Sequence, residues 1–413
     1  MVVPRKKPRR IWLFSVLNAA VMLALTYYWL SLPYTFGDES FLIYWSSLVK
    51  KKVLGFDRKP DPGEVLLVDV SHSKTTINVP NEWMIDTPYY RNVITDRVQL
   101  TELFTHFNRA AVKPRFVLCD ILFEDTTRQD AALEQELQKL NDKLLIVSHL
   151  RGGVHHVRPV VHAPYAPATY TATNGLFLKF PLVLHDTLPT VPLVMYQKLN
   201  KAQFYNANLF YWLNNKLCLP SPVVDFKIRQ ADLGDNDFVG DKKFSIHQLG
   251  FLLNMANVLP PAEFARFFAG KTVLIGDFET DTHDTPFGEL PGLLMIYNAY
   301  LTLQAEQYKI SIVWIMFLLA AYTFISYRVF NGMKVQLSGW VNRLFSSNAG
   351  KFILNSLDEF AALIIITFLS YFIFNIHINI LILFLYIKLI EFIWKQSILH
   401  VKPPVVKRKT LTT

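Results

Sequence analysis

Apolar residues fall along the chain in two different patterns, long uncharged runs near the ends and short bounded runs between them. Residues 11–32 carry no charge. As a helix rising about 1.5 Å per residue, that run is long enough to cross the roughly 30 Å hydrocarbon core of a bilayer. A cleaved leader has a shorter apolar stretch of about 7–15 residues followed by small residues. This run ends instead in Tyr27, Tyr28, Trp29 and Pro33, which suits an interfacial aromatic belt and predicts an uncleaved anchor. A second uncharged run covers 310–327. A third, 360–394, is too long for one helix and is broken by NIHIN at 375–379, so it predicts two short spans, 360–375 and 378–394. Asp358 and Glu359 precede that pair, and Lys388 and Glu391 lie in the last turns of its second member.

The short runs at 65–70, 116–123, 144–148 and 272–276 are built of Val, Leu and Ile and bounded by turn residues and acids, which predicts buried strands. Between the first two, 97–111 places Val98, Leu100, Leu103, Phe104 and Phe107 near one helical face. The stretch 130–140 does the same with Leu133, Leu137 and Leu140, and 293–304 with Leu294, Tyr297 and Leu301. Strands alternating with helices predict parallel pairing through right-handed crossovers, with helices covering the sheet. The expected fold class is therefore α/β: a mainly parallel sheet flanked by helices in an extracytoplasmic domain, plus about four transmembrane helices, one before it and three after it. Residues 150–270 are interrupted by prolines such as Pro159, Pro167 and Pro189; only a helix at 191–199 and a strand at 223–229 are predicted there.

Charge adds an orientation. The chain has 413 residues, 51% of them hydrophobic, and a formal net charge of +9. Residues 1–10, 328–356 and 395–413 hold fourteen of the 42 Lys and Arg residues and no acid. Because basic residues accumulate in cytoplasmic loops, the three segments are expected in the cytoplasm and residues of about 34–308 in the periplasm or outside the cell. That describes a multi-pass protein of the cell inner membrane with both termini cytoplasmic. The rest of the chain has 28 basic and 33 acidic residues, so the overall positive charge reports topology. A nucleic-acid partner, which would need its basic groups on the folded domain, is not expected; anionic membrane headgroups fit the basic segments. Cys119 and Cys218 read as two buried small hydrophobes, with a bridge between them left open.

Several motifs resemble a known family. The segments DILFEDTTRQDAAL (120–133), LPPAEFARFFAGKTVLIG (259–276) and HDTPFGELPG (283–292), with Asn298-Ala299 following, are similar to the second type of the CHASE domains. The resemblance covers about residues 36–306 together with the spans. It implies an extracytoplasmic sensory domain with one span before it and three after, of the kind associated with histidine kinases and cyclases. Asp281, Thr285, Pro286, Gly288, Pro291 and Gly292 answer the family's Asp-x-x-x-Thr-Pro-x-Gly-x-x-Pro-Gly turn. Two departures stand out. Where family members commonly have small residues after Ile-Gly, this chain has Asp277, Phe278 and Glu279. Family members also usually continue past the last span into an output domain, whereas this sequence ends at Thr413, and the signal is expected to leave through partner proteins.

In parallel α/β sheets, ligands bind outside the carboxyl ends of the strands. Asp69 and His72 follow the first predicted strand, Asp120 the second, His149 the third, and Asp277 and Glu279 the fourth, with Asp281, His283 and Asp284 in the acidic stretch beyond. Arg97 opens the first helix, where the resemblance implies an arginine; it could hold an anionic ligand or pair with Asp69 or Asp120. These ten residues are the candidate ligand-binding set. Acids at strand ends also cap helices and satisfy loop amides, and whether this cluster takes a metal is left open. Asp277, Glu279 and Asp281 have the spacing of the first calcium-loop positions, but Thr282 and Gly288 stand where that loop needs glycine and glutamate. His149, His155, His156 and His162 lack zinc-site spacing and read as an exposed loop.

No nucleophile elbow, phosphate loop, kinase signature or Ser-His-Asp spacing is present, so no catalytic activity is expected and no cofactor is indicated. The leading expectation is a membrane sensory or interaction protein working through other protein subunits, with homo-oligomerisation left open. The alternatives are a structural scaffold subunit of a membrane complex and a metal-dependent extracytoplasmic hydrolase using the strand-end acids.

Overall fold

The computed structural model describes residues 8–34, 37–53, 55, 59–80, 89–152, 155–169, 176–185, 187–207, 210–235, 243–333 and 348–399. Arg5, Lys6, Lys7, Lys334, Arg343, Lys402, Lys407, Arg408 and Lys409, which carry much of the charge argument, lie outside the described residues. The chain divides into two units: Ser31–Ile310, and Met1–Leu30 together with Ser311–Thr413.

The first unit is built on a seven-stranded parallel sheet. Its strands in chain order are β1 (Val65–Asp69), β2 (Phe116–Cys119), β3 (Leu144–Ser148), β4 (Tyr165–Pro167), β5 (Leu233–Asp235), β6 (Phe244–Gln248) and β7 (Thr272–Gly276). Their order in space is β5-β6-β1-β7-β2-β3-β4, with every neighbouring pair parallel. Helices cover both faces, which is why the central strands read as continuous apolar runs. On one face Leu66, Val68, Val117, Ile146 and Ile275 pack with the helices Arg97–Arg109, Asp130–Gln138 and Leu249–Val258. On the other, Leu67, Leu118, Val147 and Leu274 pack with Val191–Asn200 and Gly292–Gln304. Cys119 and Cys218 are buried free thiols in these two opposite cores.

Three departures from the expected elements have physical causes. β2 ends at Cys119 rather than Phe123, because the backbone after it leaves the sheet to form the rim described below. Strands β4, β5 and β6 were not expected. The first two have only three residues each and lie at the sheet edges, where Pro167 can be tolerated without a missing ladder donor. Among the described residues the segment 223–229 joins no strand beyond an isolated bridge of Val223 to Lys179, beside which the Val224 amide donates to the Leu178 carbonyl at 2.9 Å. Side chains bond much of the rest of its backbone: Asn298 Oδ1 accepts from the Lys227 and Ile228 amides at 2.9 Å each, and Asn298 Nδ2 donates to the Ile228 carbonyl at 2.8 Å. Thr302 Oγ1 accepts from the Asp225 amide at 2.9 Å.

The Arg97–Arg109 helix starts where Asp96 accepts from the Val98 amide at 2.8 Å. An N-cap of this kind contributes about 1 kcal/mol. Asp96→Ala is therefore expected to lower the denaturation free energy of the full chain by about 1 kcal/mol, and a change indistinguishable from zero would mean that water replaces the cap.

The second unit contains the helices Pro8–Ser31, Ile312–Asn331, Asn348–Phe374 and Ile380–Leu399. Two stretches, Arg10–Ser31 and Ile312–Asn331, are long and apolar enough to cross a membrane. The last two helices are separated at 375–379, where Asn375 has a left-handed φ of 60°. Side-chain hydrogen bonds tie the helices together: Asn18 donates to Ser326 at 2.9 Å, Tyr386 to Asn18 at 2.7 Å, and Trp314 to Ser370 at 2.8 Å.

Candidate functional site

Parallel registers bring the carboxyl ends of β1, β7, β2 and β3 to one edge: Asp69 lies opposite Gly276, and Ile275 opposite Cys119. At this edge the structure has a cavity of about 570 Å³. Two antiparallel hairpins contribute to its walls, Lys74–Pro80 with Tyr89–Thr95, and Thr282–Thr285 with Gly288–Pro291. The first is held to the loop after β2 by Asn92, which donates to Asp125 at 2.7 Å.

Five of the ten candidate residues line the cavity: Asp120, His149, Asp277, Asp281 and His283. Asp277 is fully engaged. It accepts from Lys74 at 3.0 Å, from the amides of Glu279 and Thr280, and from the Thr280 hydroxyl. Burial works against its charge, but these donors outweigh it and hold the carboxyl down at about 2. Asp281 bonds His283 at 2.9 Å. A Cβ on Gly292 would stand 2.4 Å from the Asp281 carboxylate, so only glycine leaves room for this group at the start of the following helix. His149 lies 2.8 Å from Glu124, at an angle outside the hydrogen-bond range, while Arg151 donates to the same carboxylate at 3.1 Å.

Asp120 differs from its neighbours. Its amide donates to the Ile275 carbonyl at 2.7 Å, but among the described residues its carboxylate has no hydrogen-bond donor. Burial, and then the nearby Asp281 charge, push it up to about 7, with His283 opposing.

The other five candidates are placed elsewhere. Asp69 is buried and structural, accepting from the Ser71 amide at 2.9 Å and the Phe278 amide at 3.1 Å, which joins the ends of β1 and β7. His72 and Glu279 pair at 2.9 Å on the exposed rim, and Asp284 is exposed on the second hairpin, neighbouring the cavity-lining His283 in sequence. Arg97 is 2% exposed. Its partners are neither Asp69 nor Asp120: its Nε stands 3.6 Å from Asp130, and its guanidinium lies 4.2 Å from the centre of the Phe123 ring. Sequence reasoning missed Lys74 and Asn92. The alternating, β-rich KTTINVP and YYRNVIT stretches carried the hairpin signal that would have placed them.

Among the described residues no group of three or more His, Cys, Asp or Glu is arranged to hold a metal ion; Asp69, Asp277 and Asp281 are turned toward amides, Lys74 and His283. Ser148 Oγ and His156 Nε2 are 2.7 Å apart, but among the described residues no carboxylate orients the other ring nitrogen, so the arrangement of a hydrolytic triad is incomplete.

The family model of the CHASE2 domain matches residues 17–325. The chain belongs to the CHASE2 family. CHASE2 domains are extracellular sensory domains, which agrees with a ligand-sized cavity at the sheet's carboxyl edge. No curated protein and no solved structure is similar enough to this CHASE2 chain to be matched. The match includes both helices that are long and apolar enough to cross a membrane, Ile312–Asn331 in all but its last turn and a half and Arg10–Ser31 from residue 17 onward.

Proposed function

We propose that this protein is a bacterial inner-membrane sensor. Its CHASE2 domain faces the periplasm and binds a small polar ligand carrying a cationic group, and its ligand state is relayed to, or recruits, partner proteins. The observation that carries the reading is the unpaired Asp120 carboxylate in the carboxyl-edge cavity. The other cavity acids have partners of their own, so a ligand cation beside Asp120 would supply the missing countercharge and relieve the repulsion from Asp281. The cavity also touches Gly292 and Ile296 of the Gly292–Gln304 helix, and the chain continues from that helix into the Ile312–Asn331 segment. Ligand-dependent packing at Ile296 would thus act on the element leading to the membrane. The distribution of basic segments supports cytoplasmic termini, and the helices Asn348–Phe374 and Ile380–Leu399 are the third and fourth spans of this reading.

The test is a thermal-shift screen of the detergent-purified full chain at pH 7 against small amines, amino acids, and carboxylates of matched size. A ligand at a hundred times its Kd stabilises by about 2.7 kcal/mol, so amine-bearing compounds are expected to raise Tm and the matched carboxylates not to. No shift with any cation, combined with a protein that always co-purifies in fixed stoichiometry, would favour the scaffold reading.

A further inference from the structure

Aromatic side chains are exposed in two places that the chain ties closely to the membrane segments. The helix Gly37–Leu48 begins after only five residues, 32–36, beyond the end of Arg10–Ser31. Fully extended, that link reaches about 20 Å. The helix buries Ile43, Ser46 and Ser47, while Phe41 (63% exposed) and Trp45 (44% exposed) lie on the other side one helical turn apart, and Tyr44 sits between Trp45 and the Phe287 ring, 5.7 Å away. The second place is an antiparallel sheet of Phe204–Ala207, Phe210–Leu213 and Lys216–Cys218. It buries Tyr211 and Leu213 but exposes Tyr205 and Phe210 at 51% and 48%, with Tyr205 stacked on Trp212. Its last strand is hydrogen-bonded to the chain just before the second apolar helix: the Ile310 amide donates to the Leu217 carbonyl at 2.9 Å, and Leu219 to Tyr308 at 2.8 Å. Ile312 is the first residue of that helix.

Both surfaces are therefore held within a short reach of a predicted membrane boundary, one by a five-residue link and the other by direct backbone bonding. Tyr and Trp partition to that boundary because their rings are apolar and their polar edges can still meet water. We infer that the Phe41–Trp45 pair and the Tyr205–Phe210 face are a membrane-docking surface that seats the domain in the headgroup region of the outer leaflet. Lys216 and Lys309, which flank Glu306 beside the sheet at 2.5 and 3.4 Å, add positive charge next to the aromatic face. A domain seated in this way has its entry and exit chains held at a fixed height. A change at the cavity would then reach the spans as motion relative to the bilayer rather than being lost in rigid-body tumbling.

The inference rests on the reading of Arg10–Ser31 and Ile312–Asn331 as spans, and the experiment separates the two. The full chain, with nitroxide labels on single cysteines introduced as Phe41→Cys, Trp45→Cys, Tyr205→Cys or Phe210→Cys, is reconstituted in phosphatidylcholine–phosphatidylglycerol vesicles. Native Cys119 and Cys218 are buried and do not compete for label. Val98→Cys, on an exposed position of the Arg97–Arg109 helix, is the aqueous reference, and Val313→Cys is the span reference. Docking predicts oxygen-to-nickel collision ratios at the four test sites several-fold above the Val98 label and approaching the Val313 label. Test sites that read like Val98 while Val313 reads as lipid would overturn the docking surface and leave the spans standing. An aqueous reading at Val313 would overturn the span reading and the docking with it. Spin–spin broadening at the test sites that vanishes on dilution with unlabelled chain would replace the lipid by a second copy and equally overturn the inference. Four independent exposed sites keep the test decisive if one substitution prevents folding.

Discussion

Asn298→Ala is expected to destabilise the sheet domain by about 3–5 kcal/mol, a large part of the 5–15 kcal/mol typical of a folded domain. The side chain is completely buried on the Gly292–Gln304 helix and makes three hydrogen bonds to the backbone of residues 227 and 228. Alanine removes the acceptor of two amides and the donor to one carbonyl at once, and each buried group left unsatisfied costs about 1–3 kcal/mol. Among the described residues the segment has no strand neighbour at 227 and 228 that could take over these bonds, its bridge being at Val223. For a domain of this size the loss corresponds to a fall in Tm of about 10 °C. Thermal and urea denaturation of the full chain in detergent check it. A loss below about 1 kcal/mol would mean that water enters beside the helix and bonds the freed groups. The same residue explains why the Asn-Ala pair accompanies the Pro-Gly turn: the turn launches the helix, and Asn298 then fastens the 223–229 segment to it.

The central strands and their covering helices were legible in the sequence because burial on both faces leaves an unmistakable apolar run, as in LLIVS at 144–148 and TVLIG at 272–276. The period-2 alternation at 223–229 was legible too, and Val224, Phe226 and Ile228 are buried as it implies. What it could not express is that the backbone partners would be side chains from residues 298 and 302, some seventy positions away. At the site, the edge was foreseeable from strand–helix alternation, so acids from four strands could be placed there. Which of those acids would remain unpaired was not, because that depends on short side-chain choices. Asp69 turns to two amides and Asp277 to Lys74 and Thr280, while Asp120 meets no donor among the described residues. Lys74 lies on the hairpin signalled by the alternating KTTINVP and YYRNVIT stretches rather than at the end of a buried strand, and so the cation that neutralises Asp277 was overlooked.

Asp120→Asn should remove a pH dependence that the folded domain otherwise carries between about pH 4 and 7. An unfolded aspartate titrates near 3.9, whereas burial and the Asp281 charge raise the native group to about 7. In that window the native state binds the proton that the unfolded chain has released, so stability falls as pH rises and levels off above about 7. Asp277 acts in a different window with the opposite sign. Held down at about 2, its stabilisation is present above the unfolded value and is lost as pH falls from about 4 toward 2. Tm measured from pH 2 to 8 for the wild type minus that for Asp120→Asn isolates the first contribution from histidines such as His247, whose buried ring favours the neutral form and contributes in the reverse sense. The difference curve should fall from pH 4 to 7, whereas the wild type minus Asp277→Asn should rise from pH 2 to 4. A cationic ligand couples to the same proton: it binds the charged form of Asp120, so its affinity should increase between pH 6 and 8 in the wild type and show no such increase in the variant. An affinity that is flat across that range would separate the ligand from Asp120 and end the proposal that this carboxylate is its anchor.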